Sequence, residues 1–120
     1  MSKSILLIED FPVIQEMYGD YLTNNGYSVD VAGDGVTALE KVKDNTYDFV
    51  LVDLLLPTVN GIEFLEKFTD RPKQTKVIVL SDFTEPKTVA RAYELGISNY
   101  LIKAENTPSQ LLEFLNNQSS

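Results

Sequence analysis

Five short apolar runs, Ser4–Ile8, Tyr27–Ala32, Phe49–Val52, Lys76–Leu80 and Asn99–Ile102, recur along the chain with stretches of helical periodicity between them. That alternation is the pattern of βαβ units around a parallel sheet. Runs made mostly of Val, Ile and Leu suit strands covered on both faces. Tyr27 and Asp30 make the second run the most edge-like. The expected architecture is a three-layer α/β sandwich of (βα)5 type, with helices on both faces of one parallel sheet.

Start and stop signals between the runs agree with this. Asp10 is placed to cap a first helix with Pro12 in its first turn, carrying Val13, Met17, Tyr21 and Leu22 inward until Gly26 ends it. A second helix is expected after Gly33-Asp34-Gly35 through Ala38, Leu39 and Val42, and a third from Asn60-Gly61, burying Ile62, Phe64, Leu65 and Phe68. Pro86 opens a fourth through Val89, Ala90 and Tyr93 to Leu95-Gly96. Thr107-Pro108 supplies an N-cap and first helical residue for a fifth, which packs Leu111, Leu112, Phe114 and Leu115. The tail from Asn116 is expected to fray. No internal repeat, linker or low-complexity segment is visible.

At 120 residues, 43% of them hydrophobic, the chain is expected to form a single domain over residues 1–120. With 10 basic against 18 acidic residues the net charge is −8, which argues against a nucleic-acid or anionic-membrane surface. There is no His and no Cys, hence no imidazole base, no phosphohistidine, no thiolate and no common zinc ligand. A covalent phosphoryl acceptor here must be a carboxylate or a hydroxyl. The apolar stretch after Met1-Ser2-Lys3-Ser4 is too short for a signal peptide, and no run approaches membrane-spanning length, so a cytoplasmic protein is expected.

Strands of a parallel sheet end on one edge, and Glu9, Asp10 and Asp53 each follow an apolar run, so that edge carries a carboxylate cluster. Crowded carboxylates repel and lose hydration, and they are stable together only around a divalent cation or a Lys. Lys103, after the fifth run, is a candidate for that Lys. Taken singly, each of these residues reads as an ordinary solvated strand end, and Ser81 as a turn residue. Taken in order, Leu7-Ile8-Glu9-Asp10, Val52-Asp53-Leu54-Leu55-Leu56-Pro57, Val79-Leu80-Ser81 and Tyr100-Leu101-Ile102-Lys103 form one set, one segment per expected strand.

That ordered set resembles the receiver domain of two-component response regulators, in its single-domain chemotaxis form, over nearly the whole chain. The resemblance implies a flavodoxin-like sheet of order 2-1-3-4-5, with Asp53 as phospho-acceptor from a sensor histidine kinase or phosphotransfer protein. It implies Mg²⁺ (or Mn²⁺) held by Asp10 and Asp53, by Glu9 through a water, and by the backbone carbonyl of Leu55. Lys103 and Ser81 would contact the phosphoryl oxygens, and Ser81 with Tyr100 would form the switch. The surface around helix four, strand five and helix five would then signal to a downstream protein, and a homodimer formed on phosphorylation is compatible with this. Pro57 and Gly61 match the loop after the acceptor strand. Ala104 departs from the family, which usually has Pro there, so a different loop shape is expected. Leu55 and Phe83 depart too, where many relatives carry polar residues.

Two other functions compete. A small Mg²⁺-dependent phosphohydrolase with an Asp nucleophile needs a second acid/base carboxylate just after the nucleophile, whereas Leu54 and Leu55 follow Asp53. A receiver-like interaction module without phosphorylation would have no need of the full set of acceptor, acidic pair, hydroxyl and Lys. Flavin binding lacks a hydroxyl-rich phosphate cradle in the loops.

Overall fold

The structure is a computed structural model and describes residues 2–118. Strands β1 (Ser4–Ile8), β2 (Ser28–Ala32), β3 (Phe49–Val52), β4 (Lys76–Ser81) and β5 (Asn99–Ile102) form one parallel sheet in the order β2-β1-β3-β4-β5. This is the flavodoxin-like order. Helices α1 (Pro12–Asn24), α2 (Gly35–Asp44), α3 (Gly61–Lys67), α4 (Pro86–Glu94) and α5 (Pro108–Gln118) connect and follow the strands.

Alternation along the strands divides the core in two. Leu6, Ile8, Val50, Val52, Val77 and Val79 point to the face that holds Ala38, Phe64, Leu65 and Ala92. Ile5, Leu7, Phe49, Leu51, Ile78 and Leu80 point to the other, against Tyr18, Leu22, Leu111 and Leu115. Each such side chain, fully buried, contributes roughly 1.5–3 kcal/mol of hydrophobic stabilisation.

Local signals placed most of the boundaries. Asp34 caps α2 by accepting the Thr37 amide, and Asn60 caps α3 by accepting that of Glu63. Thr107 and Gln110 cap α5 reciprocally, each side chain bonding the other's backbone N–H. Gly26 and Gly96 close their helices at positive φ. On the second strand, Tyr27 lies just outside the ladder, buried against Phe49.

Four expectations are corrected. Asp10 does not cap α1; Phe11 occupies the N-cap with no side-chain bond, because Asp10 projects to the acidic edge instead. The buried stripe of α1 is Ile14, Tyr18 and Leu22 rather than Val13 and Met17, which are 74% and 42% exposed. Asn116 is helical, because α5 runs on to Gln118, anchored by Tyr27 Oη donating to Asn116 Oδ1 and Lys76 Nζ to the Gln118 carbonyl. Ser119 and Ser120 lie outside the described residues. In α3, Ile62 is only partly buried and Phe68 serves as the C-cap.

Candidate functional site

The carboxyl ends of β1 and β3 are adjacent, Ile8 lying opposite Val52, so the residues that follow them meet. Glu9, Asp10 and Asp53 each bring a carboxylate oxygen within 4.8 Å of the others. Lys103, from the end of β5, reaches into this group. Its Nζ donates to Glu9 Oε1 at 2.5 Å and to Asp53 Oδ2 at 2.6 Å. Glu9 is 2% exposed and Asp53 7%, while Asp10 is exposed. The charge crowding anticipated from the sequence is thus relieved by an ammonium at its centre.

The remaining bonds divide the roles. Glu9 Oε2 accepts the Phe11 amide, so both Glu9 oxygens are occupied, whereas Asp10 makes no hydrogen bond among the described residues. Asp53 Oδ1 accepts the Leu55 amide at 3.1 Å, which orients its carboxylate. Burial pushes the Glu9 carboxyl up from its usual range, against the lowering effect of the bonds from Lys103 and Phe11. Burial acts to lower the Lys103 pKa, but the bonds to Asp53 and Glu9 win and hold it above its ordinary value. Tyr100 is raised by burial and then by the Asp53 charge.

Ser81 ends β4, fully buried, and its hydroxyl accepts the Phe83 amide. It makes no hydrogen bond to the acidic cluster, and its own proton is left to donate elsewhere. Tyr100, on β5, donates its hydroxyl to the Phe83 carbonyl, tying the loop after Ser81 to the strand that carries Lys103. Leu55 is 59% exposed and lines an apolar groove together with Phe83, Leu54, Leu56 and Ile62. Lys103 to Glu105 form a 3-10 turn, and every described peptide bond is trans, Ala104 included.

Several further residues support the site. A Cβ on Gly61 would stand 2.5 Å from Leu54 Cα, and one on Gly35 2.0 Å from the Val59 carbonyl, so the loop from Asp53 to Asn60 is clamped between two glycines that nothing larger replaces. Gln15 Nε2 donates to the Glu9 carbonyl at 2.6 Å. Tyr18 Oη donates to the Asn106 carbonyl, steadying the turn after Lys103. Asp82 Oδ1 accepts the Ala104 amide at 2.7 Å. The Tyr18, Asp82 and Gly35 contacts join segments distant in sequence.

With this geometry in view, the family follows. The family model described as the response regulator receiver domain matches residues 5–116. This chain belongs to that family. The receiver is 35% identical over 102 residues to the chemotaxis protein CheY of Treponema pallidum, covering 82% of this chain and 71% of that protein. It is 31% identical over 120 residues to CheY of Thermotoga maritima, covering 99% of both. It is also 31% identical to the Regulator of RpoS of Escherichia coli, where 96% of this chain spans only 34% of that protein. Among solved structures, a CheY-like receiver domain protein from Methanospirillum hungatei superposes with a TM-score of 0.92 at 25% identity, covering 98% of this chain and 94% of the other. CheY4 of Vibrio cholerae gives 0.88 at 27% identity, covering 98% and 99%. Receiver domains are signalling switches of two-component systems. No helix among the described residues is long and apolar enough to cross a membrane.

Proposed function

We propose that this receiver accepts one phosphoryl group on Asp53 from the phosphohistidine of a sensor histidine kinase or phosphotransfer protein, with its 120 residues acting as one domain in the cytoplasm. The observation that carries the reading is the Asp53 carboxylate, held by the Leu55 amide and the Lys103 ammonium with an oxygen within 4.8 Å of oxygens of Glu9 and Asp10. An O–P bond forms at Asp53 as the donor's P–N bond breaks and the imidazole leaves.

An all-oxygen donor set with one free carboxylate fits Mg²⁺ or Mn²⁺, which keep several waters. When bound, such an ion neutralises charge on the transferring phosphoryl group. Asp10, whose carboxylate has no other partner among the described residues, and Asp53 would ligate it directly, with the Leu55 carbonyl, and Glu9 through a water. Lys103 would pass from Asp53 to a phosphoryl oxygen, and Ser81 would donate its hydroxyl to another. Tyr100 links that movement to the surface of α4, β5 and α5, which a downstream protein or a second copy would read. Phe11 and Val13, exposed just beyond Asp10, give a phosphodonor an apolar rim to seat on. The net charge of −8 is unsuited to nucleic acid.

Asp10→Ala is expected to weaken Mg²⁺ binding by roughly tenfold or more, and Glu9→Gln by less, because a direct ligand outweighs a water-bridged one. Isothermal titration of both variants checks this, and equal losses would contradict the division of roles. Phosphoramidate, a small N–P donor, separates a switch from a hydrolase. A switch accumulates one phosphoryl group per chain; a hydrolase releases phosphate over many turnovers without accumulating a phosphoprotein.

A further inference from the structure

The last register pair of β4 and β5 is Ser81 with Ile102, so the backbone ladder stops one residue short of Lys103. Beyond it, Asp82 reaches across and accepts the Ala104 amide at 2.7 Å, a charge-assisted bond between the residue after Ser81 and the residue after Lys103. A proline at 104 has no N–H and could not donate it. We propose that Asp82 is a positioning residue for phosphoryl transfer, which continues the β4–β5 ladder by one step and fixes Ser81 and Lys103 at one spacing.

The surroundings explain why that step matters. On its other side the 3-10 turn is held by Asn106, whose amide N–H bonds the Lys103 carbonyl and whose side chain donates to the Ile102 carbonyl, and by Tyr18 on the Asn106 carbonyl. Those bonds steady Lys103 against α1 but do not reach the Ser81 segment. Tyr100 ties β5 to Phe83, on the same segment, from before Lys103. Asp82 closes the gap after it. Groups that must meet three phosphoryl oxygens together gain from a fixed mutual geometry, because each ångström of misplacement is lost from the transition state rather than from binding. Asp82 and Ala104 are both exposed, so deleting the bond strands no buried polar group and leaves the fold intact.

The inference rests on phosphoryl transfer to Asp53, and the parent protein controls for that reading. Parent, Asp82→Ala and Asp82→Asn are phosphorylated with phosphoramidate and Mg²⁺ and followed by intact mass, with Mg²⁺ affinity and thermal melting measured alongside. Asp82→Ala is expected to phosphorylate about threefold to tenfold more slowly, a fraction of the roughly hundredfold that a 1 Å misplacement costs. Asp82→Asn keeps the accepting oxygen and should restore the parental rate, with metal affinity and melting unchanged in both. A parental rate for Asp82→Ala, an equal loss in both variants, or a loss of Mg²⁺ affinity in step with the rate would each overturn the positioning role. If the parent itself takes up no phosphoryl group, the reading of Asp53 falls first and the role of Asp82 with it.

Discussion

Lys103→Ala is expected to destabilise the metal-free protein by about 3 kcal/mol, the cost of removing one partner from a buried ion pair and leaving the other charge uncompensated. The Lys103 side chain is 16% exposed, and it lies between Glu9 at 2% and Asp53 at 8%, so its loss leaves two carboxylates facing each other with little water. With saturating Mg²⁺ the deficit should shrink to less than half, since a cation among the same oxygens restores neutrality. Asp53→Asn should act oppositely: in EDTA it removes repulsion while Lys103 keeps Glu9, raising the melting temperature by about 4 °C. Thermal melts of both variants, with and without Mg²⁺, check these expectations. An equal loss for Lys103→Ala in both buffers would mean the ammonium is not what neutralises the cluster. The sign with pH agrees. Lys103 has a folded pKa above the ordinary 10.5, so its stabilisation is complete below that value and is lost as pH rises through the folded one.

The second large effect concerns the lifetime of the acyl phosphate. Hydrolysis needs a water in line with the P–O bond; Leu55, two residues after Asp53, and Phe83, two after Ser81, are apolar and line one groove. Neither offers a hydrogen bond to orient that water. Leu55→Asn combined with Phe83→Glu is expected to speed phosphate release by about tenfold, roughly 1.4 kcal/mol of barrier, which is the worth of one good hydrogen bond to the attacking water. Release kinetics of the purified phosphoprotein measure it, and a rate at or below the parent's would contradict the shielding.

Strand positions were legible in the sequence because buried parallel strands are continuous apolar runs, and four of the five begin at the expected residue. The acidic cluster was legible for the same reason: strand ends in such a sheet share an edge, so Glu9, Asp10, Asp53 and Lys103 had to meet there. The inward face of α1 was not. Val13, Met17 and Tyr21 form one apolar stripe and Ile14, Tyr18 and Leu22 another, and periodicity does not say which one the sheet covers. Asp10 offered a cap signal and a site signal at once; the site took the side chain. Nothing local marks the bonds of Asp82 and Tyr18 or the close approach at Gly35, because their partners Ala104, Asn106 and Val59 are brought to them only by the folded sheet and its loops. Ala104, noted as a departure that would reshape the loop, contributes through an N–H that the usual Pro lacks.

The most direct measurement is the intact mass of the protein, followed by peptide mapping, after incubation with phosphoramidate. The account predicts the addition of one phosphoryl group, located on Asp53, formed with Mg²⁺ and absent with EDTA, and lost entirely in Asp53→Asn. Phosphorylation that persists in Asp53→Asn, or that proceeds equally well without a divalent cation, would contradict it.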